Sequence, residues 1–299
     1  MYPNIFNKLF LLLPLAYSPP TNDDSSLPNA DWNFVENGAD WEGTCATGLR
    51  QAPIKLSVDS SLIAPLPRIL FENYDKRLNS PLTLVNKGYT VEMAIPATSN
   101  GRKPFITGGL LKGKYVANGV HFHWGSPESR GAEHLIERTR HDVEMHIVHR
   151  NVRYKDIAEA ANHPDGIAVL GIMFKIVKSP HRVYPGLRKI FTALPNIVEY
   201  HSKTELHEPL TLGQLLGDLN TRHFYTYKGS LTTPDCNEAV IWTVFARPLP
   251  LPLSDIQQLW QLQDSNGNPI RNNYRKLQPR NNRHVFYRAN KDVSDFYLG

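Results

Sequence analysis

From Trp32 onward, apolar and polar positions alternate in short runs separated by turn residues. This two-residue period predicts strands at 82–87, 89–95, 115–124, 143–151, 166–177, 224–228 and 240–246. Helical periodicity is rarer. It predicts short helices at 155–161, 185–194 and 211–219, and one from Ser254 to about residue 262. Ser254-Asp255-Ile256-Gln257 reads as a capping box opening that last helix, and the cluster from Asp264 to Pro269 reads as the turn that ends it. No internal repeat and no long Gly/Ser linker interrupts the chain, so residues 32–299 are expected to form one domain carried by its strands.

The parity of two of these strands brings chemistry into view. Residues two apart on a strand share a face, so His121 and His123 present two imidazoles side by side. In the run 143–151, Glu144, His146 and Val148 share one face, while Met145, Ile147 and His149 share the other. If the two strands pair as antiparallel neighbours, His146 closes a three-histidine set. Three neutral imidazoles with a fourth position open is the arrangement of catalytic zinc, whereas structural zinc is closed by four ligands and favours cysteine. The chain has only Cys45 and Cys236, far apart, which speaks against thiolate ligation.

Composition narrows the alternatives. A chain of 299 residues that is 41% hydrophobic has ample material for a core. Its 33 Lys and Arg against 28 Asp and Glu give a net charge of +5, but the basic residues are scattered, gathering only near 271–283, and aromatic residues do not interleave with them as a stacking platform would require. That is a solvated face, and no nucleic-acid partner is expected. At the N-terminus, Lys8, an apolar run over 9–16 broken by Pro14, and small or proline residues to Pro20 read as a secretory signal over 1–18, too brief to span a bilayer. Residues 19–31, rich in Pro, Ser, Asn and Asp, read as a flexible lead-in. No later segment has the length of a membrane span, so a secreted, extracellular product is expected, its oligomeric state left open. In an exported chain, an even pair of cysteines favours a disulfide over two free thiols. No Asn-x-Ser/Thr acceptor occurs.

Motifs in order along the chain carry a family resemblance. Cys45 and Gly48 precede Gln51-Ala52-Pro53-Ile54. Then come His121 to Gly125, Glu133-His134, Glu144 to His149, Gly229-Ser230-Leu231-Thr232-Thr233-Pro234, and finally Asn273 and Arg275. In order and spacing this resembles an α-class carbonic anhydrase of the secreted type. The resemblance implies a mainly β (α+β) single domain, built on a large, mostly antiparallel twisted sheet of about ten strands with peripheral helices, in which Cys45 pairs with Cys236. It implies Zn2+ on His121, His123 and His146, and reversible hydration of CO2 to bicarbonate by zinc hydroxide. By the same correspondence, Thr232 donates to Glu133 and orients the hydroxide, and Val148, Val169, Leu231, Thr233, Val240 and Trp242 join Thr232 around the substrate. Glu144 corresponds to the outer partner of His146, and the Asn273 carbonyl to that of His123. His134 and His149 correspond to buried structural histidines.

The chain also departs from the family's pattern. Gly119 stands where a glutamine usually supports His121, and Asn118 is on the wrong parity to replace it without a bulge or a water; weaker zinc binding or a looser ring is expected. Tyr89 follows Asn86-Lys87-Gly88, where the family keeps a proton-shuttling histidine. A phenol of pKa about 10 cannot exchange protons near neutrality as an imidazole can, so slow proton release is expected. Phe34 replaces a tyrosine, Ala52 a serine and Arg150 a tryptophan. The alternative reading is a catalytically weak or inert related binding or matrix protein. Such relatives characteristically lose zinc histidines, which this chain keeps.

Overall fold

The alternation along the chain resolves into a thirteen-stranded sheet in the computed structural model, which describes residues 32–178 and 184–289. The proposed signal and lead-in lie outside the described residues. Seven strands build the middle of the sheet: β1 (Leu82–Asn86), β2 (Val91–Ala94), β3 (Tyr115–Trp124), β4 (Val143–Asn151), β5 (Ile167–Val177), β6 (Phe224–Gly229) and β7 (Val240–Phe245). The order across the sheet is Lys203–Leu206, β1, β2, β3, β4, β5, β7, β6, Phe286–Arg288 and Leu62–Ile63. Most pairs are antiparallel; β5 runs parallel to β7 and to Leu249–Pro252, and Phe286–Arg288 runs parallel to Leu62–Ile63. The strands beyond the expected ten or so include Leu62–Ile63, Leu70–Glu72 and Phe105–Thr107, too short to show a period in sequence.

The central strands bury both faces. On one, Val120, Phe122, Met145, Ile147, Leu170 and Ile172 pack with Leu187, Ile190 and Phe191 of the helix Pro185–Ala193 and with Ile256 and Leu259 of Leu253–Leu259. On the other, Val169, Tyr227, Val240, Trp242 and Val244 form a second apolar cluster. The polar residues of the site stand among this second set, which is why they are dry.

The helices are shorter than expected. The region 211–219 keeps one turn, Gly213–Leu216, ended by Gly217 at φ 53°. The region 155–161 keeps Ile157–Ala160, capped by Asp156, whose side chain accepts from the Glu159 amide. Pro185–Ala193 runs on as a 3-10 turn, Leu194–Ile197. The capping box does not form: the helix Leu253–Leu259 starts one residue before Ser254, Pro252 occupies the cap position without a side-chain bond, and Ser254 Oγ turns to Asp255 Oδ1 at 3.4 Å. The turn after it does form, with Asp264 Oδ1 accepting from the amides of Asn266 and Asn268.

Candidate metal centre

Strands β3 and β4 pair antiparallel in a register that sets His146 opposite His121 and Glu144 opposite His123. The three imidazoles therefore converge from two adjacent strands. His121 Nε2 and His123 Nε2 each lie 3.1 Å from His146 Nδ1. Two nitrogens bound tetrahedrally at about 2.0 Å from one ion stand roughly 3.3 Å apart, so the spacing suits a shared zinc. His123 and His146 are buried and His121 is half-buried, so the centre opens on the His121 side.

The proton positions decide what this contact is. His146 Nε2 lies 2.8 Å from Glu144 Oε1 and His123 Nδ1 lies 2.7 Å from the Asn273 carbonyl. Both oxygens only accept, so both of those ring nitrogens carry the proton. The inward nitrogens, His123 Nε2 and His146 Nδ1, are then two lone pairs facing each other, because a neutral imidazole has one N–H. No hydrogen bond joins two acceptors, whereas a cation joins them readily. Burial, before any other cause, holds all three imidazoles below their ordinary pKa, His123 at about 4. They are neutral, as metal ligands must be.

A neighbouring cluster of His134, Glu144 and His146 has a different character. Glu144 Oε1 accepts from His134 Nδ1 at 2.7 Å, its Oε2 accepts from the His134 amide at 2.8 Å, and His134 Nε2 lies 2.7 Å from the Tyr227 hydroxyl. Each contact has a proton to share, so this is a closed hydrogen-bond chain. Burial pushes the Glu144 carboxyl up, but the hydrogen bonds it accepts from His134 and His146 outweigh that and hold the group well below the usual carboxylate range. The carboxylate that orients His146 is thus itself oriented.

Glu133 is buried and accepts from the Arg275 amide through Oε1 at 2.8 Å. Among the described residues its Oε2 has no partner in hydrogen-bonding geometry, and it lies 3.6 Å from His123 Nε2. Burial raises its pKa to about 7, with the Arg275 amide and then the Thr232 hydroxyl among the groups that pull it back. The loop carrying Thr232 leaves β6 at Gly229 and is pinned by the disulfide between Cys45 and Cys236, by the Thr233 carbonyl accepting from the Cys236 amide, and by the Leu231 amide donating to Asn237. Beside it, Val148 pairs with Val169 and Val169 with Trp242, a row running across β4, β5 and β7. The Trp242 ring lies 4.8 Å from His146, and its Nε1 donates to the Ser230 carbonyl. Val240 belongs to the same cluster, with Leu231 against it.

Comparison with known proteins agrees with this geometry: the eukaryotic-type carbonic anhydrase family matches residues 35–289. The chain belongs to the carbonic anhydrase family. It is 36% identical to putative carbonic anhydrase 5 of Caenorhabditis elegans, covering 96% of this chain and 89% of that protein. It is 34% identical to human carbonic anhydrase 6, covering 90% and 86%, and 30% identical to carbonic anhydrase 4 of Rattus norvegicus, covering 93% and 89%. Carbonic anhydrases are zinc enzymes that hydrate CO2, and the histidine cluster here is of the kind such a metal requires.

Within this carbonic anhydrase, Tyr89 packs against Trp32 with ring centroids 4.7 Å apart, and burial, then the charges of Glu92 and Tyr200, pushes its hydroxyl up to about 12. Phe34 sets its ring 6.4 Å from that of His123 and brings no hydroxyl there. A β-bulge falls at Asn118, since Val148 faces Gly119 but His149 faces Ala117. Among the described residues, Asn118 nevertheless makes no hydrogen bond to His121. Ala52 donates its amide to Ser230 Oγ, and Arg150 turns to the Tyr154 carbonyl. Two residues near the site went unread in the sequence. Gly171 faces His146 from β5, and a Cβ there would stand 2.9 Å from Glu144 Oε1. Glu92 faces His121 from β2. Neither carries a motif; only the register reveals them.

Proposed function

We propose that the chain hydrates CO2 reversibly to bicarbonate with zinc held by His121 Nε2, His123 Nε2 and His146 Nδ1. The observation that carries this reading is the pair of proton-free nitrogens on His123 and His146, 3.1 Å apart, which a shared cation reconciles. Zinc, when bound, lowers the pKa of a coordinated water to about 7 in carbonic anhydrases as a class and so makes it nucleophilic at neutral pH.

The remaining work falls to side chains of this chain. Glu133, whose pKa stands at about 7, accepts a hydrogen bond from the Thr232 hydroxyl once ionised. The Thr232 oxygen then has only lone pairs to offer the reacting water, so it accepts a hydrogen bond and fixes which way that water's own lone pair points. Val148, Val169, Leu231, Val240 and Trp242 supply a dry wall for an apolar substrate, with Thr233 at its edge. Glu144 and the Asn273 carbonyl hold His146 and His123 in the tautomers that face the metal.

Proton export is the slow step in this reading, because Tyr89 replaces an imidazole by a phenol that burial has raised further from neutrality. The disulfide supports an oxidising, extracellular setting. Among the described residues, no helix is long and apolar enough to cross a membrane. We assign residues 1–18 as the signal, 19–31 as the lead-in and 32–299 as the catalytic domain.

Stopped-flow CO2 hydration, with zinc quantified on the same sample and buffer concentration varied, tests the reading. One zinc per chain is expected, with hydration lost on chelation, restored by zinc, and faster in imidazole-type buffer. Folded protein that takes up no zinc sinks it; zinc-loaded protein without hydration leaves the inert binding or matrix reading in its place.

A further inference from the structure

Of the three imidazoles, two have an outer partner within the fold: Asn273 for His123 and Glu144 for His146. His121 has none among the described residues. Gly119, two residues before it on the same face of β3, offers no side chain. The backbone does not ask for glycine at this position. A Cβ built there would stand 3.5 Å from Glu92 Oε1 and 3.6 Å from the Met93 carbonyl, ordinary contact distances, and its φ lies outside the left-handed region. The gap beside His121 is therefore open to a side chain, and the carboxylate nearest to it comes from the next strand.

Glu92 lies directly opposite His121 on the β2–β3 ladder, as Ala94 lies opposite Gly119. Directly opposed side chains rise on one face with their Cβ atoms about 5 Å apart. The Glu92 side chain is half-buried, and no donor among the described residues pairs with it. It stands beyond direct ion-pair distance from the ring, but it has three rotatable bonds, and no β3 side chain fills the gap at position 119.

We propose that Glu92 is the positioning residue for His121, its carboxylate accepting a hydrogen bond from His121 Nδ1–H directly or through one bridging water. The tautomer so fixed leaves the Nε2 lone pair on the side of His146. A cross-strand acid thus does what a same-strand amide does where position 119 carries a long side chain. The proposal rests on the zinc reading given above and adds a residue to it.

Competition for zinc between the purified enzyme and dipicolinate tests it. Outer partners of this kind are worth about 10–100-fold in metal affinity, a range to which carbonic anhydrases themselves contribute. Glu92→Ala is expected to weaken zinc binding by that order with thermal stability of the zinc-saturated protein little changed. Glu92→Gln, which keeps an acceptor, is expected to lose far less. Adding Gly119→Gln to Glu92→Ala is expected to recover most of the affinity, and 15N spectra of the zinc-loaded protein should show His121 Nδ1–H slowed in exchange only when an acceptor is present. Glu92→Ala that binds zinc as tightly as the parent, or a loss that neither glutamine variant reduces, overturns the role of Glu92 while leaving the zinc reading intact. A parent protein that binds no zinc overturns both.

Discussion

Asn273 donates its side-chain amide to the Tyr89 carbonyl at 2.8 Å, while its own backbone carbonyl accepts from His123 at 2.7 Å. One residue thereby ties the His123 imidazole to the turn that carries Tyr89. The same amide reaches the Phe122 carbonyl, and its Oδ1 accepts from the Trp124 amide. The carbonyl that holds His123 is thus itself held by hydrogen bonds to the strand carrying His123.

Asn273→Ala keeps that carbonyl but removes all three anchors in a buried place. Buried groups left without partners cost about 1–3 kcal/mol each at most, and with partial relaxation a loss of roughly 3 kcal/mol in unfolding free energy is expected by urea denaturation. Zinc affinity is expected to fall about ten-fold, in line with loss of outer-partner geometry. Unchanged affinity in chelator competition would mean that the segment holds His123 without its side chain.

Tyr89 sets the second prediction. Its phenol, pushed up to about 12, neither takes nor gives a proton at pH 7 to 8. Turnover of the parent is expected to rise with imidazole-type buffer. Tyr89→His is expected to raise turnover at low buffer by about ten-fold or more, since a placed acid–base group contributes at least that order, and to flatten the buffer dependence. The rate at low CO2, which reports capture more than proton release, should move little. Stopped-flow traces at several buffer concentrations check both points, and a buffer-independent parent rate counts against proton release as the slow step.

Much of this candidate site was legible before the fold was known, because its three clustered histidines follow the two-residue period of single strands. His121 and His123 share a face by local geometry alone, and His146 shares one with Glu144. Their convergence required only that two neighbouring strands pair. Glu92 and Gly171 were illegible for the converse reason: each acts across a ladder, and a register offset of one residue would have turned each to the other face. The capping box failed on a similar margin. Ser254-Asp255-Ile256-Gln257 has the right letters, but Pro252 already holds the cap position, and a helix begun one residue earlier makes Ser254 an ordinary first-turn residue.

Gly171 gives the third prediction. It lies opposite His146 on β5, and a Cβ there would meet Glu144 Oε1 at 2.9 Å and the Val244 side chain at 3.3 Å. Glu144 cannot simply withdraw, because Oε1 serves both His134 and His146 and the surroundings are buried. Gly171→Ala is expected to cost about 1–3 kcal/mol of stability through overpacking and to weaken zinc binding by displacing the acceptor of His146 Nε2. Thermal denaturation and chelator competition measure the two effects. Lost stability with intact zinc affinity would show that the crowding relaxes toward Val244 and not toward the carboxylate.

His149 makes acid stability a test of the opposite face of β4. It is buried, with Nε2 2.5 Å from the Tyr74 hydroxyl, and burial holds its pKa down to about 3 against about 6.5 in an unfolded chain. Between those values the unfolded chain binds a proton that the folded chain refuses. Stability from this group is therefore complete above about pH 6.5 and is lost progressively as pH falls toward 3. One such proton corresponds to a slope of about 1.4 kcal/mol per pH unit within the window. Burial also holds the three candidate zinc ligands below their ordinary pKa, so the parent curve alone mixes the two effects. His149→Gln removes the titrating ring and leaves a polar side chain beside Tyr74, and its unfolding free energy between pH 4 and 6 is expected to fall less steeply than the parent's by about one proton. Parallel slopes in urea denaturation across that range would place the acid sensitivity in the metal centre alone.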